Sequence, residues 1–574
     1  MNIEKIEPEY WFSGLQTNTL LLTVYGKNLK NVSFDTNIPH VAQCINAKND
    51  DRHLLITMEL DDRLKEGNYT LNFVKDGKVV KKDYEIRPHR EKMLSVPTIS
   101  IRDVVYLLMP DRFSYKEMES TSLDIDRENP NAWHGGNIAG MSASIDYLAE
   151  MGYTAIWHTP IFKGSEYHGY AITDFFDIDP HFGSREDYDK FVKKAHSNGL
   201  KIVKDIVLNH CSIEHPWMKH PPLNDWFNGS KTAHEKTNYK VTTVLDPYAS
   251  SIDKHQTIDG WFTDKMPDLN FKNPHVRTYF LQMAIWWIET FGIDAFRVDT
   301  YPYVDMESMI DWQNRLTKEY PNFSIIAETW MPETAYTSQM QKNVQSRLND
   351  KHSFIVMDFA YQKRLQHYLD RTILYDKDAQ LYHHFVYDFL YNDAKSTLAF
   401  LDNHDLPRWA SEVKGKKKLK QALALLLTSP RIPQIYYGTE FMFAGKGKSD
   451  GEYREDAFEY IDSYKGQLQS DVVNYLRHLL HWRKISNAIC MGTMKHYIPQ
   501  NSIYVFFWEY ADEKVMIISN GASSTNSIYW ECYSEDLYGY VYGIEVISKQ
   551  NIAFTNEEMR IKGNTVLIVE LKRY

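Results

Sequence analysis

The chain has 574 residues, a net charge of −11, 43% apolar and 25% charged residues, the balance of a soluble globular protein too long for one ordinary core. The charge is spread without a basic block, which argues against nucleic acid or an anionic membrane as the main partner, and no apolar stretch is long enough for membrane insertion. The four cysteines, Cys44, Cys211, Cys490 and Cys532, lie far apart and form neither a metal-type spacing nor a dense disulfide framework.

The opening Met1-Asn-Ile-Glu-Lys-Ile-Glu-Pro8 lacks the basic and apolar regions of a signal peptide; the sequence as given points to the cytoplasm, or to the periplasm if a signal has been removed. Residues 1–97 alternate short β-rich runs with turns, among them Thr19–Tyr25, Asn31–Phe34, His53–Met58 and Gly67–Phe73, and predict a small β-sandwich. Pro88–Pro97 reads as the linker that leaves it.

From Val104 the pattern becomes strand, loop, helix, repeated. Strands are expected at Val104–Met109, Thr154–Trp157, Ile202–Leu208, Gly292–Thr300, Ser324–Ala327, Phe354–Met357, Thr397–Leu401 and Ile432–Tyr436. Helices are expected at Ser142–Met151, after the capping-box start at Ser184, and from Asn273-Pro274 to the stop at Gly292. Residues 211–270 break the alternation and read as an insertion after the third strand. Eight strands alternating with helices predict an α/β fold, a (β/α)₈ barrel over 98–490 whose site lies at the carboxyl ends of the strands. Residues 491–574 return to β-type runs and predict a closing β-sandwich.

Polar residues collect where four of those strands end: Asp205-Ile-Val-Leu-Asn-His210, Arg297-Val-Asp299, Glu328-Thr-Trp330 and Asp402-Asn-His-Asp405. Arg297 and Asp299, two apart on a strand, point the same way, and an adjacent cation keeps a carboxylate ionised, as a nucleophile requires. Taken alone, the pair could equally be a buried structural ion pair. Gathered on one barrel rim, the four segments point to chemistry. The 39 Tyr, 27 Phe and 14 Trp suit the flat faces and polar edges of sugar rings, and equally an aromatic core.

These four segments resemble, in order and spacing, the signature motifs of the α-amylase superfamily, glycoside hydrolase family 13. The resemblance implies a retaining hydrolase of α-glucans, in which two carboxyl groups about 5 to 5.5 Å apart act as nucleophile and general acid/base. It assigns Asp299 as nucleophile, Glu328 as acid/base and Asp405 as transition-state stabiliser. It places Arg297, His210, His404 and, from Tyr167-His-Gly-Tyr170, His168 and the stacking Tyr170 at the bound sugar, with Asp205 and Asn209 in support. No cofactor is required. A structural calcium is found in many members, and Asp124, Asp126, Asn129 and Asn131 are oxygen donors that could hold one.

Met266-Pro-Asp-Leu-Asn270 resembles the signature of the cyclomaltodextrinase, maltogenic amylase and neopullulanase group, and Ile6–Gly14 with Val24-Tyr-Gly26 is similar to the start of the sandwich domain on such enzymes of Bacteroidetes type. The chain departs from typical α-amylases after Asp299, where Thr300-Tyr-Pro-Tyr303 replaces a Lys-His pair. Tyr301, Tyr303 and Trp330 are then candidates for the acceptor side, with Tyr301 and Tyr303 equally able to pack the rim. The expected activity is cleavage of α-1,4 bonds, with some α-1,6 cleavage or transfer, in cyclodextrins, pullulan and maltooligosaccharides. The rival readings are a broader starch α-amylase, an exo-α-glucosidase, a glucan transferase and a non-catalytic glucan-binding protein. Relatives often form homodimers through the N-terminal sandwich.

Overall fold

The computed structural model describes all residues except 48–50, 91–96, 118–123, 372–374, 464–469 and 574. Most of the expected linker over 88–97 therefore lies outside the described residues. At the centre is a closed parallel barrel of eight strands: Val105–Leu108, Ala155–His158, Lys201–Val207, Ala295–Asp299, Ser324–Ala327, Phe354–Met357, Thr397–Phe400 and Ile432–Tyr436. Every predicted barrel strand is present. The apolar runs form strands because each is buried on both faces, the inner face by the barrel core and the outer by helices.

Helix ends follow their sequence signals. Ser184 accepts from the Asp187 amide in a capping box, Asn273 caps the amide of His275, and Gly292, at φ 78°, ends the helix Pro274–Phe291. The helix expected over 142–151 is instead two short ones, Ile138–Ala143 and Ile145–Met151. Asn137 caps the first, and the Ser144 hydroxyl turns back onto the Gly140 carbonyl, which interrupts the run. An antiparallel hairpin, Phe162–Gly164 with Ile172–Ile178, follows the second barrel strand and was not foreseen; its connection carries Tyr167–Tyr170.

The N-terminal residues form two four-stranded sheets, Asn2–Glu7, Thr19–Lys27, His53–Leu60 and His40–Ala47 facing Tyr10–Ser13, Lys78–Pro88, Gly67–Lys75 and Ser33–Thr36. This sandwich rests on the helix Pro274–Phe291. The buried Gln282 amide donates to the Leu21 carbonyl (2.9 Å) and accepts from the Leu21 amide (2.6 Å), and Tyr10 packs on Trp286 at 5.5 Å between ring centres. The C-terminal residues form a six-stranded sheet and a two-stranded one around a separate apolar cluster. Residues 211–270 hold short 3₁₀ turns, the helix Ser251–Asp259 and isolated bridges such as His210 to Asp268. Among the described residues no helix is long and apolar enough to cross a membrane.

Candidate active site

At the carboxyl end of the barrel lies a cavity of about 580 Å³, a volume that suits an oligosaccharide segment. Its floor is organised by Arg297, which is completely buried. One terminal nitrogen of Arg297 donates to Asp299 Oδ1 at 2.7 Å and to Asp205 at 3.0 Å; the other lies 2.6 Å from Glu328 Oε1 as an ion contact outside hydrogen-bond alignment. Asp299 ends the fourth strand and Glu328 follows the fifth, so adjacent parallel strands present both carboxyl groups to one guanidinium.

Thr300 completes the pair. Its backbone sits in the left-handed region at φ 44°, a costly conformation for a β-branched residue. The turn aims the Thr300 amide at Glu328 Oε2 (2.8 Å), while its hydroxyl donates to Asp299 Oδ2 (3.2 Å). Burial, reinforced by the negative charges of Asp299 and Asp405 against the opposing pull of Arg297, raises the Glu328 carboxyl from 4.5 to about 8. Glu328 thus holds its proton at neutral pH, the state required of an acid that must donate it.

Asp405 accepts from Arg454 at 3.0 Å and lies 3.1 Å from His404 Nε2. His404 is buried beneath Tyr170, ring planes 5° apart, with its Nε2 2.6 Å from the Tyr170 hydroxyl. Tyr170 in turn donates to Asp205 at 3.0 Å, so His404 Nε2 carries the hydrogen between them. Burial, then the charges of Arg297 and Arg454, pushes the His404 imidazole well down, and it stays neutral. Gly169 makes this arrangement possible: at φ 85° it passes so close to Pro160 that a Cβ there would lie 2.1 Å from the Pro160 carbonyl oxygen.

Models of three families match the chain. The α-amylase catalytic domain matches residues 107–507, the cyclomaltodextrinase N-terminal domain 5–90 and the cyclo-malto-dextrinase C-terminal domain 494–570. The chain belongs to the α-amylase family of glycoside hydrolases. Alpha-amylase 3 of Dictyoglomus thermophilum is 30% identical over 67% of this chain and 80% of its own length. A cyclomaltodextrinase of Thermoanaerobacter pseudethanolicus is 25% identical over 74% of this chain and 71% of its own. A solved structure described as cyclomaltodextrinase superposes with a TM-score of 0.67 over 100% of this chain and 99% of that one, at 18% identity, and shares the fold.

Within this α-amylase-family site, Asp299, Glu328, Asp405, His168, Tyr170, His210 and Trp330 all border the cavity. Buried His210 has a free Nε2 among the described residues and is pushed down to about 4 by burial, so that its imidazole is neutral. Trp330 is 48% exposed and stacks on Phe359, ring planes 5° apart. His168 has both nitrogens engaged, with Glu166 (2.6 Å) and the Tyr170 amide (3.1 Å).

Four expected residues lie behind the cavity rather than on it. Arg297 and His404, read as contacting the sugar, are covered by the carboxyl groups and by Tyr170 that they hold. Asp205 and Asn209 are buried beneath them, Asn209 reaching the His210 ring at 3.3 Å. Tyr303 borders the cavity, whereas Tyr301 is buried against Phe354 with its hydroxyl toward Gln313; the 3₁₀ turn Tyr301–Tyr303 separates the two fates.

The four oxygen donors named for calcium lie at the surface. Asp124, Asp126, Asn129 and Asn131 are all exposed, and the side-chain oxygens of Asp126 and Asn129 close local turns onto the amides of Glu128 and Asn131. Among the described residues no three His, Cys, Asp or Glu side chains form a metal-holding group.

Sequence reasoning missed Arg454. It donates to the His404 carbonyl (2.7 Å), to Tyr167 (3.0 Å), to Asp405 (3.0 Å) and to Asp450 (3.3 Å). It also missed Asp450, Phe262 and the Tyr239–Thr242 wall of the insertion. These sit in loops and short 3₁₀ turns without strand or helix periodicity, and only the fold brings them to the rim.

Proposed function

We propose that this enzyme hydrolyses α-1,4 glucosidic bonds in cyclodextrins and short maltooligosaccharides with retention of configuration. The observation that carries the reading is the sharing of Arg297 by Asp299 and Glu328, with the Glu328 carboxyl raised by burial to about 8. Asp299 attacks the anomeric carbon as the glycosidic bond breaks, and the Glu328 proton passes to the leaving oxygen. Water then attacks the same carbon, gives its proton to Glu328 and releases Asp299 as a carboxylate. Arg297 orients both groups, and Asp405, held by Arg454, faces the developing positive charge. His210, Tyr170 and Trp330 bind sugar faces and hydroxyls.

The subgroup reading is supported by the matches to cyclomaltodextrinase N- and C-terminal domains flanking the catalytic one and by the relative named cyclomaltodextrinase. The relative named alpha-amylase 3 favours a second reading, a broader starch hydrolase. Product analysis on β-cyclodextrin, pullulan and soluble starch separates them. Fast opening of cyclodextrin to maltose and glucose, or panose from pullulan, with slow attack on starch, is expected; preference for starch would establish the second reading. Release of glucose alone would mark an exo-acting enzyme, lengthened chains a transferase, and glucan binding without new reducing ends a non-catalytic protein.

A further inference from the structure

The cavity has two halves. On one, Asp405, Arg454 and Asp450 are joined by direct contacts, and His404 behind them links Tyr170 to Asp405. On the other, the residues that follow the nucleophile lead from Thr300, whose amide holds Glu328, to Tyr303. Tyr303 meets Phe262 at 5.5 Å, and Phe262 meets Tyr239 at 5.6 Å, both edge to face. Because an acid must face the oxygen it protonates, the half that carries the Glu328 contacts is the side of the departing sugar.

Among the described residues two cations border this cavity, Arg454 and Lys240. Arg454 is spent on four protein groups. The Lys240 ammonium has no hydrogen-bond or ion-pair partner among the described residues, yet its backbone is firmly built. Asn238 Oδ1 accepts from the Lys240 amide (2.8 Å) and from Thr257 Oγ1 (2.9 Å), and Asn238 Nδ2 donates to the Asp253 carbonyl (3.1 Å). Tyr239, in the left-handed region at φ 56°, donates its hydroxyl to the Phe262 carbonyl. A strained, cross-braced turn on the helix Ser251–Asp259 therefore fixes the backbone of an exposed lysine with three donors at the border of the cavity.

We infer that Lys240 is a specificity-determining residue that donates hydrogen bonds to hydroxyls of the departing sugar, while Tyr239 and Tyr303 flank that sugar. The inference rests on the assignment of Asp299 and Glu328 made above. An uncharged glucan offers hydroxyl oxygens as acceptors, and a charge-assisted hydrogen bond to one of them strengthens binding of that sugar by about tenfold or more.

The test compares kcat/KM for maltotetraose, which expels maltose, with kcat/KM for α-maltosyl fluoride, whose leaving group carries no hydroxyl. The ratio of the two does not depend on how much enzyme is folded. In Lys240→Met it is expected to fall by about tenfold, and Lys240→Arg is expected to restore most of it. An unchanged ratio in Lys240→Met, whether both rates hold or both fall alike, would overturn the inference. Failure of the wild-type enzyme to consume either substrate would instead overturn the proposed function, and this inference with it.

Discussion

Arg297 stands at the meeting point of three acidic side chains, Asp205, Asp299 and Glu328, all of them buried. Removing one partner of a buried ionic group leaves uncompensated charge, so Arg297→Met is expected to lose about 3–5 kcal/mol of stability near neutral pH. The loss should shrink in acid, where the carboxyl groups take up protons; denaturant melts at two pH values measure it. Glu328 has its pKa raised on folding, from 4.5 to about 8, so its contribution to stability is full below about pH 4.5 and is lost as pH rises through about 8. Relative to wild type, Glu328→Gln should therefore gain melting temperature as pH climbs from 6 to 9, and should lose hydrolysis. The same proton sets an alkaline limb near pH 8 in the kcat/KM profile of the wild-type enzyme. Thr300→Gly removes the strain at φ 44° and also the hydroxyl that touches Asp299; it should gain about 1 kcal/mol in stability and lose kcat/KM, a split readable from thermal melts and kinetics on one preparation.

Among the elements, the hairpin connection Tyr167–Tyr170 shows how a short loop governs a distant network. Gly169 alone lets Tyr170 reach both Asp205 and His404. In Gly169→Ala the Cβ meets the Pro160 carbonyl, the loop must shift, and a displacement of about 1 Å at Tyr170 lowers kcat/KM on the order of a hundredfold. Far-UV circular dichroism should stay unchanged, because the barrel strands do not depend on this loop. The hairpin's strands were not predicted: Phe162–Gly164 is three residues long, and its pairing with Ile172–Ile178 shifts register twice, leaving no clean alternation to read. By contrast the helix Pro274–Phe291, marked by Asn273-Pro274 at one end and Gly292 at the other, was legible because capping and termination are local physics.

For the whole molecule, the N-terminal sandwich is fastened to the barrel by Gln282, which satisfies both backbone groups of Leu21 in a buried setting. Gln282→Ala leaves that amide and carbonyl unpaired and is expected to cost about 2–4 kcal/mol. Deleting residues 1–97 would uncover Tyr279, Gln282 and Trp286 on the same helix; the shortened chain is expected to elute as aggregates in size-exclusion chromatography. The same packing supports Tyr25, which links Glu7 to Trp217 in the insertion. The sandwich thereby braces the segment that walls the cavity.

The sequence by itself determined the barrel, its strand order and the residues at the four strand ends, because period, capping and short-range spacing are properties of neighbouring residues. It also carried the family, since those strand-end motifs lie within single segments. Only the tertiary structure decided which side chains reach the cavity: Arg297 and His404 lie behind it, Tyr301 turns inward and Tyr303 outward, and Arg454 and Lys240 arrive from segments with no pattern of their own. Placement of this kind depends on where a loop crosses the rim, and that crossing is set by packing between parts of the chain hundreds of residues apart, as between Arg454 and Tyr167.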